Sequence, residues 1–417
     1  MDKLSERQWK RLDVVRRLEA GAFTVEEAAL VLGLSRRQMQ RLRQKVAKEG
    51  REGVLHGNAG RRAPNRLTKR LRERVVRLAK TKYAGFNDQH LTEKLVEVEG
   101  LRVSRATVRR LLREAGLAAA RRRRSPKHRR RRDRKAQAGL MILWDGSRHD
   151  WLEGRGPMLC LMGAIDDATG ELLPGAHFVD QECTAGYLHV LRAIVEDRGI
   201  PHSAYMDQHG SLRRNDDHWT LEEELRGEQE PTQVGRALRA LEIEPIFALS
   251  PQAKGRVERL WGTLQDRLTS ELRLAKAKTL KAATAILDRH RSDHNRRFTV
   301  EAADVTSAWR PVRAGLDVAR VCSFRYEATV QNDNTVRLHG LVIDVPPGPR
   351  ERSYARLRVE VRQFLDGSWH VYHQDRRIAT HAASEVAELR ARKQRKRSGA
   401  PVMEVIFPGQ ELDERGG

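Results

Sequence analysis

Leu140-Met141-Ile142-Leu143-Trp144-Asp145-Gly146 is an apolar run of strand length closed by one acid and a glycine. Five apolar residues in a row read as a strand, and the acid closes it. Outward from it, strands are predicted over 158–165 and 172–179, and a helix over 184–198. A fourth strand over 203–206 ends in Ala204-Tyr205-Met206-Asp207, a second apolar run closed by one acid. A helix over 236–241 and a short strand over 245–248 follow. A long helix over 253–274 comes next, its apolar positions Val257, Leu260, Trp261, Leu264, Leu268 and Leu272 keeping a spacing of three to four residues.

That order, three strands and then helix, strand, helix, strand, helix, predicts an α/β core of the ribonuclease-H-like kind over 137–300. If the strands ending at Asp145 and Asp207 are neighbours, both carboxylates open into one crevice beyond the strand ends. The long helix starts inside Ser250-Pro251-Gln252-Ala253-Lys254-Gly255-Arg256-Val257-Glu258-Arg259. Glu258 lies about one turn into it and contrasts with apolar Val257, Leu260 and Trp261. Three carboxylates so placed suit hard divalent cations, Mg²⁺ or Mn²⁺, which take oxygen ligands; two ions can activate an attacking oxygen and stabilise a leaving one. Lys254, one turn before Glu258, is placed to hold a phosphate. Taken singly each acid has a plainer reading: Asp145 before Gly146 as a turn residue, Asp207 as a loop cap, Glu258 as one half of a surface pair with Arg259.

Eighty Lys and Arg against 56 Asp and Glu give 417 residues a net charge of +24 and a pI near 10.6, which points to a polyanionic partner, nucleic acid first. Cys160, Cys183 and Cys322 form no Cys-x-x-Cys pair, which argues against a zinc finger or a disulfide scaffold. No apolar run approaches the roughly 20 residues of a membrane span, and Met1-Asp2-Lys3-Leu4-Ser5-Glu6 does not read as a signal peptide. A cytoplasmic, nucleoid-associated protein without membrane contact is expected.

The flanks are predicted to be separate domains. Over 1–50, Thr24-Val25-Glu26-Glu27 and Ser35-Arg36-Arg37-Gln38 are capping boxes on two helices joined at Gly33, a helix-turn-helix. The second helix would turn Arg36, Arg37, Gln40, Arg41 and Gln44 outward to double-stranded DNA, with Met39 and Leu42 inward. A second unit of this kind is predicted over 66–118, with Asn87 and Ser104 as caps and Arg105, Arg109, Arg110 and Arg113 on its second helix; 53–65 reads as the connection. Eleven of the fifteen residues 121–135 are Lys or Arg, so 119–136 reads as a basic linker that cannot pack and touches phosphates without reading sequence. Alternation at Phe324, Tyr326, Ala328, Val330 and at Leu357, Val359, Val361 predicts a small all-β, SH3-like barrel over 318–382. The residues 386–417 read as a basic, unstructured tail.

Trp144-Asp145-Gly146-Ser147-Arg148-His149-Asp150-Trp151-Leu152-Glu153-Gly154-Arg155-Gly156-Pro157, Ile165-Asp166-Asp167-Ala168-Thr169-Gly170, Tyr205-Met206-Asp207 and the Ser250–Glu258 run resemble the DDE insertion-sequence transposases with an integrase-type core, especially the ISNCY group. Gly262-Thr263-Leu264-Gln265-Asp266-Arg267-Leu268 and Asn295-Arg296-Arg297-Phe298 continue the likeness, which reaches from the first helix-turn-helix to the β segment. The resemblance implies that Asp145, Asp207 and Glu258 are the catalytic and metal-binding triad. It also implies cleavage at the ends of a mobile element and Mg²⁺-dependent strand transfer into target DNA. Fifty residues separate Asp207 from Glu258, more than in retroviral integrases, and the polar stretch 210–231 reads as a loop supplying the excess. Asp150 is set aside because Asp145 ends the apolar run directly. Asp166-Asp167 read as a strand end and turn, and Glu153 as part of the turn after the first strand. Joining two ends needs two active sites, so at least a dimer on DNA is expected. A non-catalytic, sequence-specific DNA-binding regulator is the alternative.

Overall fold

The computed structural model describes residues 4–56, 58, 67–118, 132–214, 219–248 and 255–389. The chain divides into two compact units, Met1–Arg74 and Val75–Gly417.

The first unit holds α1 (Glu6–Glu19), α2 (Val25–Leu32) and α3 (Arg36–Glu49). Both predicted capping boxes form. The Glu27 N–H donates to Thr24 Oγ1 at 3.3 Å while the Thr24 N–H donates to Glu27 Oε2 at 2.7 Å; Ser35 and Gln38 exchange the same pair at 3.2 and 2.9 Å. Gly33 ends α2 in the left-handed region (φ 64°), which a side chain would resist, and this turns the chain into α3. Leu12, Val15, Ala28, Met39 and Val46 form the core. Gly53 and Val54, expected in a connection, belong to this core. The 3₁₀ turn Gly50–Val54 seats Val54 against it, and a Cβ on Gly53 would come within 2.6 Å of the Lys45 carbonyl.

α4 (Lys69–Lys80) straddles the boundary between units. In the second unit come α5 (Asp88–Glu97), capped by Asn87, and α6 (Arg105–Glu114), capped by Ser104. Then follow β1 (Met141–His149), β2 (Leu159–Asp166), β3 (His177–Val179), α7 (Thr184–Asp197), β4 (Ser203–Met206), α8 (Leu221–Arg226), α9 (Gln233–Ala240), β5 (Glu244–Phe247), α10 (Gly255–Leu274) and α11 (Leu280–Phe298). These strands make one mixed sheet in the order β3-β2-β1-β4-β5, with β2 antiparallel to β1 and β3, and β4 parallel to β1 and β5. Its two faces are both covered. Ile142, Trp144, Met162 and Ala204 pack with α7 and α9; Met141, Leu143, Leu161 and Ile165 pack with α10 and α11. This double burial is why β1 and β2 begin as unbroken apolar runs.

Several expectations are corrected. β1 does not end at Asp145: its pairing with β2 runs on to His149, and only its pairing with β4 stops at Leu143. The third strand is confined to His177–Val179, with Leu172 held in an isolated bridge to Ile165. The 210–231 stretch contains α8, set by a Thr220–Glu223 capping box. Nor is the end of the basic run free of the core: Arg132 donates to the Asp167 carboxylate and Arg134 to the carbonyls of Asp167 and Ala168. Residues 119–131 lie outside the described part.

Beyond α12 (Val318–Val321) come β6 (Phe324–Thr329), β7 (Thr335–Leu338), β8 (Leu341–Asp344), β9 (Arg358–Gln363), β10 (Trp369–His373) and β11 (Arg376–His381). They form a four-stranded sheet, β11-β10-β9-β6, and a β7-β8 hairpin, around Val330, Val336, Val361, Trp369 and Val371. The predicted alternation at Val359 and Val361 is the buried face of β9. The start of the supposed tail is packed: the Leu389 N–H donates to the Tyr326 hydroxyl, and Glu388 accepts from Thr184. Residues 390–417 lie outside the described part. Among the described residues no helix is long and apolar enough to cross a membrane.

Candidate active site and nucleic-acid interface

The first two acids lie just past the end of one ladder. β1 and β4 run parallel with Leu143 opposite Tyr205 as their last pair, and Asp145 and Asp207 each come two residues further on. Neighbouring strands lie about 4.8 Å apart and side chains repeat every second residue. Asp145 therefore shares a face with Leu143, and Asp207 with Tyr205, the face that α10 covers.

α10 is fastened over this point along its length. Trp261 Nε1 donates to Asp145 Oδ2 at 3.0 Å, and Gln265 Nε2 donates to Ser147 Oγ at 3.2 Å. Gly163 is the β2 partner of Asp145 and lies against the indole, where a Cβ would make ordinary contact at 3.5 Å from Trp261 Cη2. At the first turn Arg256 donates to Asp167 at 2.6 Å and to the Arg132 carbonyl at 2.6 Å. Asp167 is wholly buried and also accepts from Arg132 and the Lys135 N–H. Burial would raise its carboxyl, but these donors and the charges of Arg132 and Arg256 hold it below the usual range. Glu258 lies between Arg256 and Trp261, exposed, one turn before the indole that touches Asp145. Lys254 lies outside the described residues.

A further acid stands at the crevice that sequence reasoning passed over. Glu182, just before α7, accepts from the Tyr187 hydroxyl and has His209 Nδ1 3.6 Å from Oε1. Its Oε2 lies 2.9 Å from where a Cβ on Gly146 would be. Burial raises its carboxyl; the Tyr187 hydroxyl and His209 oppose this, and the charges of Asp207 and Asp145 add to it. The signal in sequence was an acid directly before a predicted helix, which is too common to single out. Asp207 also caps its own loop, accepting from the His209 N–H at 2.9 Å. The plainer reading of Asp207 is thus a real part of its environment.

The donor set of Asp145, Asp207 and Glu258 is oxygen alone, which suits Mg²⁺ or Mn²⁺. Among the described residues, however, no group of three or more His, Cys, Asp or Glu is set around a point where a metal ion could be held. Asp145 and Asp207 both act on the Glu182 carboxyl through their charge, and Glu258 is exposed on the first turn of α10.

The acids set aside have structural partners. Asp150 accepts from the Gly154 N–H, and Asp166 binds the Gly139 and Thr169 N–H groups. Glu153, in the β1–β2 turn, pairs with Arg155 and Arg273.

In the first unit, Arg36, Arg37, Gln40, Arg41 and Gln44 are all exposed on α3, with Met39 buried and Leu42 half-buried behind them. In the second unit, Arg105, Arg109 and Arg110 are exposed on α6, while Arg113 is turned back to Asp88 at 2.7 Å.

A helix-turn-helix in the first unit and a mixed α/β sheet in the second define the class as a DNA-binding protein of several parts. Residues 10–64 match the helix-turn-helix domain family. The chain is 34% identical over 392 residues to "Putative transposase y4bF" of Sinorhizobium fredii, covering 91% of this chain and 84% of that one. It is 31% identical over 334 residues to "Transposase for insertion sequence IS1202" of Streptococcus pneumoniae, covering 69% and 68%. The chain belongs to the insertion-sequence transposases. A solved simian T-cell lymphotropic virus intasome in complex with a PP2A regulatory subunit also matches, at 11% identity and a TM-score of 0.30, covering 75% of this chain and 99% of that one. A likeness at that score carries no argument.

Proposed function

We propose that this transposase cuts DNA at the ends of its element and joins them to target DNA through Asp145, Asp207 and Glu258. The observation that carries the proposal is that Asp145 and Asp207 each lie two residues past the last β1–β4 pair, Leu143–Tyr205, while the helix that bears Glu258 is bonded to Asp145 through Trp261. The sheet order and the covering helices support a ribonuclease-H-like core, and the two C-terminal sheets support a small barrel of SH3-like type.

In this reading Asp145, Asp207 and Glu258 would hold Mg²⁺ or Mn²⁺, which would supply charge to activate the attacking hydroxyl and to stabilise the leaving oxygen. The chain's own part is positional. Trp261 orients the Asp145 carboxylate through its indole N–H. The Arg256–Asp167 pair holds the first turn of α10, on which Glu258 stands. α3 reads the element end through Arg and Gln side chains, and the basic residues of 119–136 contact phosphates. The protein works at the nucleoid, as at least a dimer on paired ends.

The test is strand transfer by purified protein with Mg²⁺ and labelled element-end DNA, wild type against Glu258→Gln. Joined product from wild type alone, with end binding equal in both, is the expected result. End binding without cleavage or joining by wild type would overturn the proposal in favour of a DNA-binding regulator.

A further inference from the structure

Outside the crevice, the most heavily built polar feature of the second unit is the seam between α5 and the pair α10–α11. Arg267, buried on α10, reaches Glu93 with both guanidinium arms, at 2.7 and 3.0 Å. Arg297 on α11 binds the same Glu93 at 3.3 Å and Glu97 at 2.7 Å. Glu271, one turn after Arg267, takes Lys94 at 2.8 Å and buried His90 at 2.7 Å. Asn87, the cap of α5, donates to Asp266 at 2.6 Å. Burial would raise the carboxyls of Glu93 and Glu271, yet these donors hold both below the usual range.

A seam of this kind fixes more than proximity. Apolar faces can slide, whereas a bidentate guanidinium–carboxylate pair sets both distance and angle, and a half-broken buried network is costly. α5 is in turn locked to α6 through Arg113–Asp88 and the buried side chains of Leu91, Leu95, Val108, Leu111 and Leu112. α6 exposes Arg105, Arg109 and Arg110 on the side that the seam leaves uncovered. The helix gripped by α5 is the one that carries Glu258 nine residues before Arg267, about 13 Å along one continuous helix.

We propose that the α5–α6 unit is a ruler: it holds duplex DNA on the basic face of α6 at a fixed distance from the acids and so selects which phosphodiester is cut. The ligand is double-stranded DNA because Arg105, Arg109 and Arg110 are all exposed on α6, the last within 3.8 Å of Glu114 on the same helix, and in a chain of net charge +24 they complement a phosphate backbone. Successive phosphates on a strand lie roughly 3.4 Å apart along the axis. A seam fixed to within an ångström resolves one from the next, and a seam that slides does not. The inference rests on the transposase reading above and adds to it the device that sets cleavage position.

The experiment maps cleavage at nucleotide resolution on a 5′-labelled duplex carrying one element end and its flank. Wild type is compared with Glu93→Ala and Arg297→Gln. Wild type should cut at one phosphate. Glu93→Ala and Arg297→Gln should spread cutting over neighbouring phosphates, with end affinity within about two-fold of wild type. Arg297 is the more peripheral partner, so Arg297→Gln keeps the test open if Glu93→Ala fails to fold. A merely structural seam would lower the amount of product and leave its position unchanged, and that result overturns the ruler while leaving the transposase reading intact. Unchanged end binding by the pair Arg109→Ala, Arg110→Ala overturns it as well. A wild type that binds the end and never cuts removes both readings together.

Discussion

The indole of Trp261 donates to Asp145 Oδ2 at 3.0 Å, and with the Gln265–Ser147 bond one turn on it registers the helix bearing Glu258 against the strand bearing Asp145. Trp261→Phe keeps most of the apolar contact and removes the donor. A hydrogen bond to a charged acceptor contributes roughly 1.5–3 kcal/mol, so the joining rate should fall about ten-fold or more while end affinity stays within two-fold. Single-turnover joining assays beside a binding titration check this. A joining rate equal to wild type would show that α10 is held without the indole.

Asp167 ties three segments: the end of β2, the residues 132–135, and the first turn of α10. Asp167→Asn leaves two guanidinium groups facing a neutral amide in a buried site. Breaking a buried ion pair by removing one partner costs about 3–5 kcal/mol. Urea unfolding should register a loss of that order, and Asp167→Glu should recover part of it. A loss below about 1 kcal/mol would mean that water already reaches the site.

The fold was legible where burial is two-sided or periodic. Leu140–Trp144 announces β1, and the spacing of Val257, Leu260, Trp261 and Leu264 announces α10, because those residues face a core whatever else the chain does. Asp145 and Asp207 stand out in the sequence because each follows an apolar run. What local pattern could not supply is pairing at long range. Arg132 lies in a run that reads as solvated, and only the folded chain brings it to Asp167 thirty-five positions on. Glu182 escaped notice for the same reason: its neighbours Tyr187, His209 and Gly146 come from three elements. The extent of β1 past Asp145 escaped because Asp145-Gly146-Ser147 is polar, though hydrogen-bonded to β2 throughout.

His290 and His294 on α11 are buried beside the α5 seam, and burial pushes each down to about 4. The unfolded chain takes up those protons near 6.5, the folded chain only near 4. Their contribution to stability is therefore complete above pH 6.5 and is lost as pH falls from 6.5 towards 4. By linkage each should withdraw about 2 kcal/mol between pH 7 and pH 5. Glu271, held at about 2, adds its own loss only below about pH 4.5. The urea midpoint at pH 7 and pH 5 measures the effect, and the double substitution His290→Gln, His294→Gln should flatten it. A midpoint that does not move with pH in the wild type would mean that these rings meet water in the folded protein.

The exposed face of α3 makes two separable predictions, because its side chains have two chemistries. Arg37 and Arg41 are charged and exposed, and each should release about one counterion on meeting a phosphate. Arg37→Ala and Arg41→Ala should then each lower the slope of log affinity against log salt by about 1, with similar loss on specific and unrelated DNA. Gln40 and Gln44 are neutral and suited to an adenine edge, so Gln→Ala there should leave the slope alone and cost about 1–3 kcal/mol of preference for the element end. Arg36 is the informative intermediate. It is already paired with Glu26 at 2.9 Å, both side chains exposed, and must exchange that carboxylate for DNA. Glu26→Gln should free it and strengthen binding, most at low salt. If Glu26→Gln leaves affinity unchanged across the salt range while Arg37→Ala flattens the slope, Arg36 stays with Glu26 and the DNA contact begins at Arg37.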